Sequence, residues 1–252
     1  MWTGVFPVHT GSGWWAQWTF TNRIGGVSES SFASFNLADH VGDDEQAVAV
    51  NRRLLASSFG EPVPQLAVMS ARHGARVALA DMSSIQTVEG FDGLVTTTPD
   101  LAIAALAADC VPVVLADTLA GIVAAAHCGW RGLISGIVDA TVQAMKDNGA
   151  TADNTTAAVG PAICGRCYGV PDERMREVGG AVPAAVSVSA SGGPAVDIRA
   201  GVLGQLRARS IEALVVGGCT REDEQLYSYR RDGITGRQAA AIVLRNRNHR
   251  SV

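Results

Sequence analysis

The sequence has no long uninterrupted apolar run, no strong net charge and few histidines. The longest apolar stretch, at 101–115, contains Asp109 and Pro112, so it falls short of the roughly 18 residues that a membrane-spanning helix needs. The N-terminal residues lack a charged segment followed by an apolar one, so we expect no secretory signal. The net charge of −4 and pI of about 5.7 exclude a global basic field for nucleic acid. We expect the basic cluster at 245–250 to be a solvated tail.

Disulfide bonds are also not expected. The five cysteines are an odd number, in a chain of 252 residues that is long enough to bury a sizeable core without covalent crosslinks. Reduced thiols are typical of the cytoplasm, so we predict a cytoplasmic protein. A hydrophobic fraction of 47% and a charged fraction of 17% fit a compact globule. No repeat or linker divides the chain, which predicts a single domain over 1–252, either a monomer or a small homo-oligomer.

Short apolar segments bounded by Gly, Pro, Asp or Ser predict buried strands. Helical periodicity is clearest at 132–147 and 198–209, and a third helix is predicted at 44–58 after paired aspartates. The Gly- and Ser-rich stretch 179–194 is predicted to be an exposed loop. The expected fold class is α/β (α+β-like), with a mixed β-sheet core and flanking helices. The predicted strands lie at 15–22, 65–69, 76–80, 102–107, 112–116, 121–127, 156–160, 213–216 and 239–244.

Three candidate metal ligands each stand at the end of an apolar segment. His73 follows QLAVMSAR, Cys110 follows LAIAALAAD, and His127 ends GIVAAAH just before a glycine turn. Two imidazoles and one thiolate leave the fourth position of a tetrahedral zinc ion open, which is typical of a catalytic rather than a structural site. Asp109, beside Cys110, is a candidate base or a hydrogen-bonding partner for one of the ligands.

The residues alone leave other interpretations open. The intervals between the three candidates match no local zinc motif, and a single His or Cys at such a position is more often a packed core residue than a ligand. Cys110 as a nucleophile and His127 as its base would instead make a cysteine hydrolase that works without metal.

The other thiols carry weaker signals. Cys164 and Cys167 have CxxC spacing, but without a second pair or a thioredoxin-like context, which favours a structural turn. Cys128 would point to the face opposite His127 if the strand continues, so we expect it to be buried. Cys219 has no partner that the sequence identifies.

Two arginines are candidate anion-binding residues. Arg131 follows Trp130 in a glycine-flanked turn, and Arg230 lies in a polar turn that is rich in hydrogen-bond donors. On chemistry alone, a solvated surface or an intramolecular ion pair is the favoured interpretation of both. The sequence contains no Walker loop, no GxGxxG after a strand, no GxSxG and no HExxH.

The same residues carry a family resemblance. The chain resembles the YfiH family, also called the laccase-domain or polyphenol oxidase family, from about residue 34 to 237 and in family order. Several of the matching segments span four or more positions. They are SFNL at 34–37, HVGDD at 40–44, NR at 51–52, HG at 73–74, FDGL at 91–94, ADCVP at 108–112, AHCGWRG at 126–132, GPAI at 160–163 with Tyr168, YRRDG at 229–233 and TGR at 235–237.

The resemblance implies a zinc-dependent purine nucleoside enzyme with a cysteine-hydrolase-like fold. The implied reactions are phosphorolysis of adenosine, inosine and methylthioadenosine to base and ribose 1-phosphate, together with adenosine deamination. A purine nucleoside and phosphate are therefore the implied partners, and neither nucleic acid nor a membrane is. The implied metal ligands are His73, Cys110 and His127. Taken with the candidates above, we expect Cys110, His127 and Asp109 to be catalytic. We expect Asn36, Arg131 and Arg230 to contact substrate or phosphate.

The family also carries other labels, which the residues help to weigh. A multicopper oxidase needs a further histidine-rich cluster, and the chain has only five histidines, so copper-dependent polyphenol oxidation is disfavoured. A zinc site needs only the three ligands that are present, and a zinc-bound hydroxide suits attack on the C6 atom of a purine. The remaining alternatives are a Cys110/His127 amidohydrolase that edits peptidoglycan precursors and a non-catalytic, cell-division-associated binding protein. Two positions depart from the family pattern, Ala71 in place of Gln and Gly169 in place of Glu.

Overall fold

A computed structural model describes residues 1–246, which form fourteen strands and six α-helices. Every strand expected from an apolar segment is present, within two residues at each end. The strands are Trp2–Val5 (β1), Trp14–Phe20 (β2), Gln65–Ser70 (β3), Val77–Leu79 (β4), Gln86–Glu89 (β5), Gly93–Thr96 (β6), Leu101–Ala107 (β7), Val111–Asp117 (β8), Ile122–Cys128 (β9), Thr155–Val159 (β10), Val186–Val188 (β11), Pro194–Val196 (β12), Glu212–Val215 (β13) and Gln238–Asn246 (β14). The helices are Glu45–Ser57 (α1), Trp130–Ile134 (α2), Ile137–Asp147 (α3), Asp172–Ala181 (α4), Ile198–Arg207 (α5) and Tyr229–Asp232 (α6).

The strands form two six-stranded sheets and a separate hairpin. The first sheet has the order β1-β2-β14-β7-β3-β5, and the second has the order β13-β10-β8-β9-β6-β4. Both are mixed, because β3 runs parallel to β5 and β7 in the first sheet, while β10–β13 and β4–β6 are the parallel pairs of the second. The hairpin pairs β11 with β12.

The two sheets pack face to face between helical layers. Successive residues of a strand point to opposite sides, and in β7 Ile103 and Ala105 join a core to which both sheets contribute. Ala102 and Ala104 face the other way and pack with Leu55 of α1. Another core joins the outer face of the second sheet to α3 and α5. The mixed α/β class with flanking helices is therefore correct, but two stacked sheets replace the single sheet that we expected.

Two local predictions were wrong. The helix expected at 132–147 is broken into α2 and α3, because Gly136 adopts a left-handed conformation with φ of 82° and becomes the N-cap of α3. The loop expected at 179–194 instead contains the end of α4, a short 3-10 helix and the β11–β12 hairpin. Gly179 and Gly180 lie in the last turn of α4 and Ser187 lies in β11, whereas Ser189, Ser191, Gly192 and Gly193 form the turn between β11 and β12.

The basic C-terminal cluster begins inside the fold. Arg245 lies in β14, is only 4% exposed, and donates to Asp100 Oδ1 at 2.5 Å and to the carbonyl of Pro62 at 2.7 Å. The expectation of a solvated tail is therefore wrong for Arg245, and residues 247–250 lie outside the described part of the chain. In residues 1–246, no helix combines the length and apolar character needed to cross a membrane.

Candidate metal centre

His73, Cys110 and His127 converge on one point at the edge of the stacked sheets. We call these three residues the cavity site. Their ligand atoms all lie within 4.8 Å of one another, and the two imidazole rings meet edge to face with centroids 4.8 Å apart. His73 follows β3, Cys110 lies in the connection between β7 and β8, and His127 is the penultimate residue of β9. The sheet topology thus joins residues that are far apart in the sequence.

Backbone geometry makes this close approach feasible. The β8–β9 register sets Pro112 opposite His127, which brings Cys110 next to the end of β9. A Cβ atom on Gly129 would lie 2.8 Å from His73 Cδ2 and 3.1 Å from Cys110 Sγ. Both distances are shorter than ordinary van der Waals contact, so a side chain at position 129 would force the two ligands to shift.

Asp92, just before β6, connects two parts of the cavity site. Its Oδ1 atom lies 3.1 Å from His127 Nδ1 and accepts the backbone N–H of His73 at 2.7 Å, and its Oδ2 atom accepts the N–H of Gly74 at 2.9 Å. These bonds fix the orientation of the His127 ring and leave its Nε2 atom available as a ligand. Burial opposes ionisation of Asp92, but the hydrogen bonds from His127 and the backbone outweigh it and lower the pKa of the carboxyl group.

Cys110 and His127 shift each other's protonation. Burial alone would raise the pKa of the Cys110 thiol, yet the charge of His127 and hydrogen bonds from His127 and His73 lower it to about 6. Burial would lower the pKa of His127, but the Cys110 thiolate and Asp92 raise it to about 9. In the absence of a cation, the two residues therefore favour a thiolate–imidazolium pair at neutral pH.

The chemistry of the donor set fits a transition-metal dication. Two imidazole nitrogens and one thiolate are borderline-to-soft ligands, which suit zinc and also copper. The lowered pKa of Cys110 favours the ionised form that a metal ion binds, and the Asp92–His127 bond is the outer carboxylate contact common around metal-bound histidines. Three protein ligands would leave a fourth position for a small molecule.

The cavity site opens into a cavity of about 510 Å³. Its lining is mixed, with apolar and aromatic side chains beside a set of basic ones. The lining residues are His40, Met69, Ala71, His73, Leu106, Ala107, Ala108, Asp109, Cys110, His127, Trp130, Arg131, Ile163, Tyr168, Ile198, Tyr229, Arg230 and Arg237.

Asp109 lines the cavity, but its carboxylate accepts hydrogen bonds from the surrounding loops and helix. Oδ1 accepts the hydroxyls of Thr220 at 2.6 Å and Ser228 at 2.7 Å, and Oδ2 accepts the backbone N–H of Arg230 at 2.6 Å. The residue has a φ of 97°, in the left-handed region that non-glycine residues rarely adopt. Asp109 thereby holds α6 beside the cavity, whereas the hydrogen-bonding partner of His127 is Asp92.

Two of the three predicted substrate contacts lie at the cavity. Arg131 is exposed with its guanidinium 4.6 Å from the centroid of the Trp130 ring, and Arg230 lies 4.8 Å from that of Tyr168 and donates to the carbonyl of Gly169.

Asn36 is the exception. It is fully buried, is not among the residues that line the cavity, and its amide bonds to Ala38, Asp43 and the backbone N–H of Arg237. Its position in the fold therefore indicates a structural role.

Sequence reasoning assigned no role to several residues that shape the site. Asp92 belongs to the recognised FDGL segment, but its contact with His127 depends on the pairing of β6 with β9. Arg237 lines the cavity and lies in the TGR segment, and burial lowers the pKa of its guanidinium. The order of recognised segments was the only signal in the sequence that could have pointed to either. Both departures from the family pattern also lie here, since Ala71 lines the cavity and the carbonyl of Gly169 accepts from Arg230.

Comparisons with known proteins identify relatives over most of the chain. A family model described as multi-copper polyphenol oxidoreductase laccase matches residues 17–245. A Mycobacterium tuberculosis protein named purine nucleoside phosphorylase is 45% identical over 223 residues, covering 88% of this chain and 89% of the relative. A protein named adenosine deaminase RL5, from an unknown prokaryotic organism, is 40% identical over 152 residues, covering 57% of this chain and 58% of the relative.

Solved structures share the fold over most of the chain. Neisseria meningitidis protein NMB0706 superposes with a TM-score of 0.84 at 30% identity and covers 97% of this chain and 99% of its own. Bacillus licheniformis YfiH gives 0.80 at 28% identity, covering 91% and 92%. The fold and the site together indicate an α/β enzyme that has two histidines and one cysteine at a candidate metal centre. The chain belongs to the multi-copper polyphenol oxidoreductase laccase family, whose structural neighbours include YfiH.

Proposed function

We propose that this protein is a zinc-dependent purine nucleoside phosphorylase with adenosine deaminase activity, formed by one catalytic domain. It would convert adenosine, inosine or methylthioadenosine, with phosphate, to the free base and the pentose 1-phosphate. One observation carries the proposal: the cavity site opens into a space of about 510 Å³ that has arginines on its wall. The name of the 45% identical relative supports the same reaction.

The cavity suits a nucleoside in size and lining. Pockets for small molecules typically measure about 300–1,000 Å³ and combine apolar walls with a few polar groups. Here Met69, Leu106 and Ile163 supply aliphatic surface, and Trp130 and Tyr168 supply aromatic rings. In our proposal these side chains hold the purine base.

The arginines would hold phosphate. Arg131, Arg230 and Arg237 all line the cavity, and each guanidinium carries five donors in a planar arrangement that matches an oxyanion. Arg230 donates to Gly169 and Arg237 to Thr235 and Gly236, which uses only part of their donor capacity. Phosphate bound there would lie in the same cavity as the three candidate ligands.

In phosphorolysis, the bond between ribose C1′ and the purine nitrogen breaks, and a phosphate oxygen bonds to C1′. The base leaves with the electron pair and takes up a proton. In deamination, water adds at C6 and ammonia leaves. A bound zinc ion would supply Lewis acidity to the oxygen groups of these reactions. Asp92 would keep His127 in its orientation, and Asp109 would keep Arg230 and helix α6 against the cavity.

The direct test incubates the purified zinc-loaded protein with adenosine, with and without phosphate. We expect adenine and ribose 1-phosphate only when phosphate is present, and inosine in both reactions. Failure to form any product from adenosine, inosine and methylthioadenosine under zinc-replete conditions would contradict the proposal.

Arg131 and Arg174 offer a matched pair of variants for the phosphate contact. Both guanidinium groups stack on Trp130, at 4.6 and 4.8 Å from the ring centroid, but only Arg131 lines the cavity. We expect Arg131→Ala to raise the KM for phosphate about 10-fold or more, as the loss of a hydrogen bond to a charged group predicts, and Arg174→Ala to leave it unchanged. Equal effects would indicate that the stacking on Trp130 matters and phosphate binding by Arg131 does not.

A second candidate, the Cys110/His127 amidohydrolase acting on peptidoglycan precursors, is favoured by one observation. The pKa of the thiol is lowered to about 6 and that of the imidazole raised to about 9, as in a nucleophile–base pair. Amide hydrolysis of such a precursor that survives a zinc chelator, but is lost when Cys110 is alkylated, would favour this candidate over phosphorolysis.

A further inference from the structure

A second group of metal-binding side chains lies outside the cavity. Cys164, Cys167, Cys219 and Glu222 place one ligand atom each within 4.8 Å of the others. None of the four lines the cavity. We call this group the turn site, because its residues lie in two turns that follow β10 and β13.

The two turns present their ligands in the same way. Cys164 and Cys167 are separated by two residues, and the N–H of Cys167 donates to the carbonyl of Cys164 at 3.0 Å. Cys219 and Glu222 have the same separation, and the N–H of Glu222 donates to the carbonyl of Cys219 at 3.2 Å. Pairs of ligands two residues apart on tight turns are the usual framework of structural zinc sites.

Hydrogen bonds align the two turns. Ala162 and Cys219 form a parallel bridge, in which the N–H of Thr220 donates to the carbonyl of Ala162 at 3.2 Å. The N–H of Cys164 donates to Cys219 Sγ at 3.3 Å, and Cys167 Sγ lies 3.3 Å from Glu222 Oε1. The four ligand atoms therefore face one another as a consequence of backbone pairing.

A bound dication would balance the charge of this group. Three thiolates and a carboxylate whose ligand atoms lie within 4.8 Å of one another repel each other unless a positive charge lies among them.

We propose that the turn site binds a structural zinc ion through Cys164 Sγ, Cys167 Sγ, Cys219 Sγ and a carboxylate oxygen of Glu222. Four protein ligands close the tetrahedral shell and leave no position for substrate. Copper(I) prefers an all-sulfur set, whereas zinc accepts thiolate and carboxylate together. A disulfide between two of the cysteines would leave the third cysteine and Glu222 unused. The proposal goes beyond the proposed activity and does not depend on it.

This zinc ion would crosslink the two segments that hold Asp109. Ile163, next to Cys164, donates its N–H to the carbonyl of Asp109 at 3.0 Å. Thr220, next to Cys219, donates its hydroxyl to Asp109 Oδ1 at 2.6 Å. The turn site would therefore stabilise the left-handed Asp109 conformation that presents Cys110 to the cavity.

Metal content and sulfur coordination test the proposal without any activity assay. We expect the full-length protein, purified with reductant and saturating zinc, to hold two zinc ions per chain, and Cys110→Ser and Cys167→Ser to hold one each. Zinc-edge X-ray absorption of the Cys110→Ser variant should report three sulfur neighbours for the remaining ion. The absorption spectrum of the wild-type protein should report a mean of two sulfurs per zinc, and it remains informative if a variant fails to fold.

Glu222 has a matched control in Glu224, an exposed carboxylate on the same loop. We expect Glu222→Gln to weaken retention of one zinc ion about 10-fold or more during chelator titration, because a neutral amide replaces an ionised ligand, and Glu224→Gln to behave as the wild type. A zinc content that is the same in Cys167→Ser as in the wild-type protein, fewer than three sulfurs around the ion of Cys110→Ser, or a Cys164–Cys167 disulfide that excludes zinc would overturn the proposal.

Discussion

The cavity site and the turn site both contain cysteine and both connect to Asp109, yet their surroundings differ. The cavity site has two imidazoles and one thiol beside a cavity of about 510 Å³. The turn site has three thiols and a carboxylate on two tight turns. Three ligands beside open space suit a metal ion that also binds a small molecule, whereas four ligands on paired turns suit one that only crosslinks the chain. Ligand number and access, rather than the presence of cysteine, distinguish the two proposed roles.

The largest expected effect is on catalytic activity, and it distinguishes a substitution in the cavity site from one in the turn site. Cys110→Ser removes a ligand and the thiolate from the cavity site, so we expect phosphorolysis to fall to the background rate. Cys167→Ser leaves every cavity side chain in place, and we expect it to retain measurable turnover together with a lower thermal unfolding midpoint. Product formation from adenosine and phosphate measures both. Complete loss of turnover in a folded Cys167→Ser protein would break the division into a reactive and a structural site.

The thiols of the two sites should also differ in reactivity when metal is removed. The thiolate is the reactive form, and the pKa is about 6 for Cys110 but about 12 for Cys167. In metal-free reduced protein, the alkylation rate of Cys110 should rise as pH increases through about 6 and level off above it. At pH 7 we expect Cys110 to react at least ~100-fold faster than Cys167, even after allowing for the lower intrinsic nucleophilicity of the more acidic thiol.

Peptide mass spectrometry after timed alkylation measures these rates. If the rate at Cys110 continued to rise above pH 8, the thiol would have an ordinary pKa and the pairing with His127 would be wrong. Zinc added before the reagent should protect both cysteines, which provides the control.

Asp92→Asn sharpens the comparison, because Asp92 touches only one site. The substitution weakens the hold on the His127 ring and on the backbone of His73, so we expect zinc affinity of the cavity site to fall about 10–100-fold. Zinc held by the turn site should not change. Glu89→Gln is the control, since that carboxylate pairs only with exposed Arg72. Titration with a chromophoric chelator measures both affinities, and loss of zinc from the turn site instead would contradict this assignment.

Gly129→Ala should have the smallest effect of the series. The added methyl group would approach His73 Cδ2 and Cys110 Sγ, so the ligands must shift, at a cost of about 1–3 kcal/mol, typical of overpacking. We expect zinc affinity of the cavity site to fall by about one order of magnitude. Gly180→Ala adds the same methyl group where no atom lies within 4 Å. Unchanged zinc binding in Gly129→Ala would show that the ligands adapt freely.

The strands could be predicted from sequence because each is a short apolar run bounded by turn residues. The stacking of two sheets could not, since Ile103 and Ala104 have the same apolar character although they face different layers. Apolar residues on both faces of a strand predict that both faces are covered, but they do not predict whether a sheet or a helix covers each face. The break at Gly136 was missed because one glycine interrupts a helical pattern without erasing its periodicity.

For the candidate sites, the residues next to each candidate ligand in the sequence were informative. The pairing of strands and turns that brings the ligands together could not be predicted. His73, Cys110 and His127 could be selected because each ends an apolar segment, and the order of the family segments connected them. The Asp92–His127 contact depends on strand pairing across the second sheet. The partners of Cys219 depend on a bridge between segments more than fifty residues apart. Such non-local contacts leave no periodic signal in a single sequence.

Anomalous diffraction at the zinc edge, from crystals grown with zinc and phosphate, tests the central claim most directly. We predict a peak bonded to His73 Nε or Nδ, Cys110 Sγ and His127 Nε2, with a non-protein atom from the cavity as its fourth ligand. Absence of a peak between these residues in zinc-saturated crystals, or a fourth ligand supplied by the protein, would contradict a catalytic metal centre there.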